Sequence, residues 1–377
     1  MSTAQCATRN TNATGSQPIR RADEQLMSSP TLAKPDSSQR HRATLVVWPS
    51  VRPHPATTPA PASAPTLRMV LTSDGVQLAV NDFGSQHPRH TIVFLHGLCL
   101  NSSTWDVHIQ TLRHQYGPSL RLISYDHRGH GRSASAPLSS YTIDQLSDDL
   151  AQVLRALSVT GSLTVVAHSM GGMTALAYLR RPKSQRPVEP TGLVLVATAA
   201  GKLTERGLGR LLATPGIGKL LALGTHAPEH LLCGILKPVC LTAAHLGSRL
   251  PAATLAAMTL TALSMSAPST ALGFLPTLRT YDVYPTLRAI EAQTTIICGA
   301  ADPLTPPAHS RDIAAAIPGA RCVNVPGAGH MLPQQASAII GRAITDALPP
   351  WPPQEVAPNA RSSPPAAIPL KTAGSPS

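Results

Sequence analysis

None of the six cysteines stands at Cys-x-x-Cys spacing, and no histidine cluster accompanies any of them. A zinc site or a dithiol redox motif is therefore not indicated, and buried thiols outside disulfides are expected. The chain also lacks a recognisable secretion signal. Its one early apolar run, Ala43 to Trp48, is too short and too late for a signal-peptide core, and Arg20-Arg21 lacks the apolar stretch of an export signal. A cytoplasmic protein is expected. The net charge of +12 comes without any basic run or aromatic interleaving. Between 66 and 348, 22 Lys and Arg face 15 Asp and Glu, which reads as a solvated basic surface and gives no reason to expect a nucleic-acid partner. Charge is absent altogether between Arg249 and Arg279, a gap long enough for a membrane span. Eight Ser or Thr and three Pro within it argue against stable membrane insertion.

Proline is concentrated at the two ends. Residues 1–65 and 349–377 hold 18 of the 37 prolines, mixed with Ser, Thr, Ala and Arg. Such segments cannot bury enough apolar surface to offset the entropy of ordering, so both are expected to be disordered tails. Met69, just before the first strand-like segment, is a second candidate for the start of translation. The folded unit is then 66–348, long enough for a substantial core.

Leu163 to Ala167 is an apolar, β-branched run suited to a strand buried on both faces, and the nine residues ending at Leu179 suit a helix that Pro182 stops. Ser169 sits at the reversal between them. A serine there presents its hydroxyl at the carboxyl end of a sheet, under the positive end of a helix, and Ala167, Gly171 and Gly172 are small enough for backbone to pass closely. Further strands are expected at Thr91–Leu95, Arg121–Tyr125, Gly192–Ala197, Thr294–Cys298 and Arg321–Val325, after an antiparallel edge hairpin folded about Ser73-Asp74-Gly75. Alternation with helices from 91 to 197 implies right-handed crossovers and a mostly parallel central sheet with helices on both faces. Sites in such sheets collect at the carboxyl ends of the strands.

Thr142 and Gln145 read as a capping box, opening a helix with Leu146, Leu150, Val153, Leu154 and Leu157 on one face. Asp144, Asp148 and Asp149 read as a solvated acidic face matched to the helix dipole. Trp105 reads as a core aromatic. Residues 200–290 break the rhythm, with Leu208, Leu211, Leu212, Leu220 and Leu221, then Leu255, Met258, Ala262 and Met265, at helical spacing. They suggest a helical cap over the carboxyl edge of the sheet, apolar enough to line an acyl pocket.

The stretch Ala167-His-Ser-Met-Gly171 resembles the nucleophile elbow of α/β-hydrolases, with alanine replacing the first glycine. The loop Asp126-His-Arg-Gly-His-Gly-Arg-Ser133 is similar to a loop of the same family, where the resemblance implies that Asp126 and Arg128 pin the turn. The resemblance extends through His96-Gly97, the turn Gly299 to Pro306 and the loop Pro326 to His330, covering nearly all of 66–348. It implies the α/β-hydrolase fold with a helical cap insertion: core in 66–199 and 291–348, cap in 200–290.

Ser169, Asp302 and His330 follow in the family order of nucleophile, acid and base. The strand at Gly192–Ala197 offers no acidic residue at its end, which leaves Asp302 as the acid. Thr305 and Pro306 suit the N-cap and first turn of the next helix. The resemblance further implies an oxyanion hole from the Leu98 and Met170 amides, each worth about 3 kcal/mol in the transition state. No metal or organic cofactor is required. The expected activity is that of a serine hydrolase, esterase- or lipase-like, cleaving a small hydrophobic carboxylic ester through an acyl-enzyme on Ser169. A carbon–carbon bond hydrolase, a perhydrolase or haloperoxidase-like acyl transfer, and a non-catalytic ligand-binding protein on the same fold stand as alternatives.

Overall fold

Runs of Val, Ile and Leu form the strands of a single sheet in the computed structural model, which describes residues 65–84, 88–207, 210, 213 and 268–348. The eight strands are β1 (Thr66–Leu71), β2 (Gln77–Phe83), β3 (His90–Leu95), β4 (Leu120–Tyr125), β5 (Leu163–His168), β6 (Gly192–Val196), β7 (Gln293–Gly299) and β8 (Arg321–Val325). Their order is β1-β2-β4-β3-β5-β6-β7-β8. The hairpin β1–β2 and the pair β2–β4 are antiparallel, and every other pair is parallel. From β3 the chain moves outward to β4 and then returns past β3 to β5. That reversal leaves a crevice at the carboxyl ends of β3 and β5, where open sheets of this kind bind ligands.

The described helices are α1 (Asp106–Tyr116), α2 (Ile143–Ala156), α3 (Met170–Arg180), α4 (Pro268–Thr280), α5 (Tyr284–Leu287), α6 (Pro307–Ala316), α7 (Leu332–Gln335) and α8 (Ser337–Asp346). Because successive strand residues point to opposite faces, the sheet feeds two cores. Val93, Leu95, Ile123, Val165 and Leu195 pack with Leu146, Leu150 and Leu154 of α2, Leu176 of α3 and Ile313 of α6. On the other face Ile92, Phe94, Leu122, Val166 and Val194 meet Ile109 and Leu112 of α1 and Ile340 and Ile344 of α8. Trp105 belongs to this second core as expected, its ring 5.6 Å from that of Phe94. Strands β3, β5 and β6 are buried along their whole length, which is why their sequences run apolar without alternation.

The expected tails lie outside the described residues, except for residue 65, as does most of the expected cap. Of 200–290 only 200–207, 210, 213 and 268–290 are described, and they contain α4 and α5. Among the described residues no helix is long and apolar enough to cross a membrane. Of the cysteines described, Cys99, Cys298 and Cys322 form no disulfide, and Cys322 is exposed where a buried thiol was expected.

Two expectations about charge are corrected. Asp149 is fully buried and not part of a solvated face. Arg128, equally buried, gives it hydrogen bonds of 2.7 and 2.6 Å and reaches Asp74 in the hairpin turn at 2.7 and 3.1 Å. Arg128 thus ties the β1–β2 turn to α2 and does not pin the loop through Asp126. Asp126 instead accepts the amides of Ser102 at 2.7 Å and Arg132 at 2.9 Å. Asp144 and Asp148 do pair near the surface, with Arg180 and Arg181. The N-cap at Thr142 holds, with its hydroxyl accepting the Gln145 amide at 3.0 Å. The Gln145 side chain turns to Asp149 at 3.4 Å, so this half of the capping box goes to the buried carboxylate.

Removing Arg128 leaves Asp149 buried without its cationic partner, a change that typically costs about 3–5 kcal/mol. Urea denaturation of Arg128→Ala is expected to show a loss of that size, and a loss below about 1 kcal/mol would show that Arg128 does not hold the hairpin to the core.

Candidate active site

Ser169 stands between β5 and α3 with backbone angles φ 51° and ψ −117°. A non-glycine residue there is strained by roughly 1–3 kcal/mol, so its surroundings must hold it in place. They do so from both sides. The Ser169 amide donates to the Val196 carbonyl at 2.9 Å, and its carbonyl accepts the Thr198 hydroxyl at 2.7 Å and the Gly172 and Met173 amides of the first turn of α3. The helix lies so near β3 that a β-carbon on Gly171 would come within 2.6 Å of the Leu95 carbonyl oxygen. Ala167, where the family pattern has glycine, is accommodated fully buried. Ser169 itself is half-buried.

Beyond β7 the chain turns through Asp302, and beyond β8 it turns through His330. The two loops are hydrogen-bonded to each other, Ala301 donating its amide to Ala328 at 2.9 Å, and Gly299 sits where a β-carbon would collide with the Gly329 carbonyl. His330 Nδ1 lies 2.8 Å from Asp302 Oδ2, and its Nε2 lies 3.0 Å from Ser169 Oγ. The three residues named from their order in the chain are thus brought into one hydrogen-bonded line. With Nδ1–H donated to the carboxylate, Nε2 carries a lone pair that faces the serine hydroxyl.

Asp302 is almost fully buried, which works to raise its carboxyl. The facing imidazole, with hydrogen bonds from His330 and Thr305, outweighs burial and holds the carboxyl below its usual range. Its Oδ1 accepts the amides of Leu304 and Thr305 at 2.8 and 3.0 Å, and its Oδ2 accepts the Thr305 hydroxyl at 2.8 Å. This is a correction to the reading of Thr305. Pro306 takes the N-cap position of α6, and the Thr305 hydroxyl is committed to the carboxylate.

The amides expected to hold an oxyanion belong to Leu98, in the turn after β3, and Met170, the first residue of α3. Among the described residues neither amide has a hydrogen-bond acceptor. No three His, Cys, Asp or Glu side chains among the described residues converge as metal ligands would.

Histidines behind the site carry a part that the motifs left unread. His168 is fully buried and donates Nε2–H to the His330 carbonyl at 3.0 Å, so the residue preceding the serine anchors the loop of the facing histidine. His96 accepts the His127 amide on Nε2 at 2.9 Å. His130 accepts the Cys99 amide on Nε2 at 3.2 Å. Burial pushes His130 and His168 down to about 3, so both rings stay neutral and their donor and acceptor sides are fixed. These histidines fall inside the motifs, but spacing alone does not reveal which backbone groups their rings reach.

Comparison with known proteins adds independent findings. The sequence model of the alpha/beta hydrolase family matches residues 92–342. The chain is 32% identical over 136 residues to a bifunctional esterase/perhydrolase of Acinetobacter calcoaceticus, a match covering 36% of this chain and 45% of that protein. It is 35% identical over 135 residues to a 3-oxoadipate enol-lactonase of Acinetobacter baylyi, covering 36% and 46%. To a non-heme chloroperoxidase of Streptomyces lividans it is 35% identical over 120 residues, covering 31% and 40%. The chain thus spans less than half the length of these curated relatives. Among solved structures, a hydrolase from Pseudomonas aeruginosa superposes with a TM-score of 0.57 at 26% identity, covering 74% of this chain and 97% of that one. An esterase from Exiguobacterium antarcticum gives 0.59 at 20% identity, covering 74% and 98%, and so bears on the fold alone.

Buried neutral histidines give a pH dependence of stability. Burial pushes His90, His108 and His309 down to about 4 from 6.5. Between these values the unfolded chain binds protons that the folded chain refuses, so stability is fully present above 6.5 and falls as pH drops toward 4. The slope is up to ~1.4 kcal/mol per pH unit for each such histidine. Urea midpoints measured from pH 8 to 4.5 are expected to be level above about 7 and to fall steeply below 6.5, and a level profile down to 4.5 would contradict neutral burial.

Proposed function

This chain belongs to the alpha/beta hydrolase family, and on that premise we propose that it is a serine hydrolase cleaving carboxylic esters of hydrophobic acyl or alkyl groups. The observation that carries the reading is the line from Ser169 Oγ through His330 to Asp302, with contacts of 3.0 and 2.8 Å. A serine hydroxyl is a poor nucleophile until a base takes its proton. In the proposed reaction His330 Nε2 removes that proton as Oγ attacks the ester carbonyl, and Asp302 stabilises the imidazolium that forms. The Leu98 and Met170 amides receive the oxyanion of the tetrahedral intermediate. His330 then protonates the leaving alkoxide, giving an alcohol and an acyl group on Ser169. Water attacks that acyl group with His330 again as base, releasing a carboxylate and restoring the serine. The cycle needs no metal or organic cofactor.

An apolar preference is argued from the segment 200–290, proposed as a helical cap over the crevice, whose Leu, Ala and Met content suits an acyl chain better than a charged group. The similarity to proteins named perhydrolase and chloroperoxidase favours one second reading. There hydrogen peroxide replaces water as acceptor of the acyl group, and a peracid leaves.

Ser169→Ala is expected to lower turnover of p-nitrophenyl acyl esters by at least about a thousandfold with an unchanged thermal midpoint, and Asp302→Asn by about a thousand- to ten-thousandfold. Wild-type protein should be labelled at Ser169 by a fluorophosphonate, and the alanine variant should not. Equal rates in wild type and Ser169→Ala would overturn the proposal. A series of esters of increasing acyl length, read as kcat/KM, reports the pocket directly.

A further inference from the structure

The turn that carries the Leu98 amide is closed by a bond from the Leu100 amide to the Gly97 carbonyl at 3.2 Å. Cys99, its third residue, lies in the left-handed region at φ 62°. That is the position at which a type II turn requires positive φ and favours glycine. A cysteine there leaves the turn strained and in need of an external hold on its central peptide. The N–H of that peptide belongs to Cys99, and it donates to His130 Nε2 at 3.2 Å.

The His130 ring is itself fixed on three sides. Its Nδ1–H donates to the Arg128 carbonyl at 3.0 Å, which leaves Nε2 as the acceptor. The His96 ring lies 5.2 Å away on one side, and the ring of Phe274, from α4, lies 5.9 Å away on another. The ring is 1% exposed, and burial pushes it down to about 3, so the lone pair is not lost to a proton at neutral pH.

We propose that His130 is a positioning residue, whose Nε2 lone pair holds the Leu98–Cys99 peptide in the orientation that aims the oxyanion turn at Ser169. The proposal rests on the serine-hydrolase reading above. His130 touches no reacting atom and acts through the turn. Its effect therefore falls on the transition state, where charge develops on the carbonyl oxygen, and leaves substrate binding largely unchanged. Phe274 adds a further contact on the ring, so α4 bears on the same turn through His130.

The experiment compares wild type with His130→Leu, which keeps bulk but accepts no hydrogen bond, and His130→Gln, whose amide oxygen can reach the Cys99 amide. With a p-nitrophenyl ester, His130→Leu is expected to lose about ten- to a hundredfold in kcat with KM changed less than about threefold. The inhibition constant of an alkyl trifluoromethyl ketone, whose adduct carries the oxyanion, should rise by the same factor. His130→Gln should recover most of both. Wild-type kcat, KM and inhibition constant in His130→Leu would overturn the proposal. Nitrogen-15 spectra of histidine in the unaltered protein decide even if the leucine variant fails to fold. Nδ1-protonated His130 supports the assignment, and Nε2-protonated His130 overturns it. Absence of serine-dependent turnover in wild type would instead count against the serine-hydrolase reading, while the tautomer still reports on the hold over Cys99.

Discussion

The left-handed backbone of Ser169 is the constraint on which the rest of the crevice depends. A serine does not adopt φ 51° for its own sake, and the conformation persists because Val196, Thr198 and the first turn of α3 each take one of its backbone groups. This needs β5 flanked by β3 and β6, and α3 close against the end of β3. The small residues around the serine follow from that closeness, as the 2.6 Å approach at Gly171 makes plain. Strain is shared along the same edge. Cys99 after β3 and Ala197 after β6 also hold positive φ without being glycine. Three of the five non-glycine residues with positive φ among the described residues thus lie at the carboxyl edge of the sheet, while strands β3, β5 and β6 below it are buried along their whole length.

Electrostatics at this edge divides into two kinds of group. His96, His127, His130 and His168 are buried and held neutral, and each serves as a fixed donor or acceptor for backbone. They behave as parts of the frame. Asp302 is buried too, yet stays ionised because an imidazole and three donors from Leu304 and Thr305 face it. His330 joins the two groups, since its ring meets the carboxylate and the serine while its carbonyl is held by neutral His168. Its ring orientation is therefore set from side chain and main chain together.

Much of this was legible in the order of motifs. The alternation of strands and helices, the reversal at Ser169, and the placing of Asp302 and His330 after later strands all follow from local patterns that the fold preserves. Where the reading missed, burial was the reason. Asp149 lies three residues after Leu146 and one before Leu150, on the apolar stripe of α2, and that placement was a usable sign that its carboxylate faces inward. A rule about helix dipoles sees only the position near the N-terminus. The carboxylate nearest to Arg128 in sequence is Asp126, whereas the arginine's partners lie 54 and 21 residues away. At Thr305 the residue type suits a helix start, and that preference does not register a charged oxygen across the turn. His130 and His168 carry no spacing signature, because what each holds is a backbone group brought near only by the sheet.

The carboxylate of Asp302 has four hydrogen bonds from three residues: two backbone amides, one hydroxyl and one imidazole. A carboxylate offers about four lone-pair directions, so this one is saturated. No solvent molecule or substrate donor can be added to it without expelling a partner. Its charge is consequently addressed to a single ring, and a positively charged group approaching from the crevice would find no free oxygen on it.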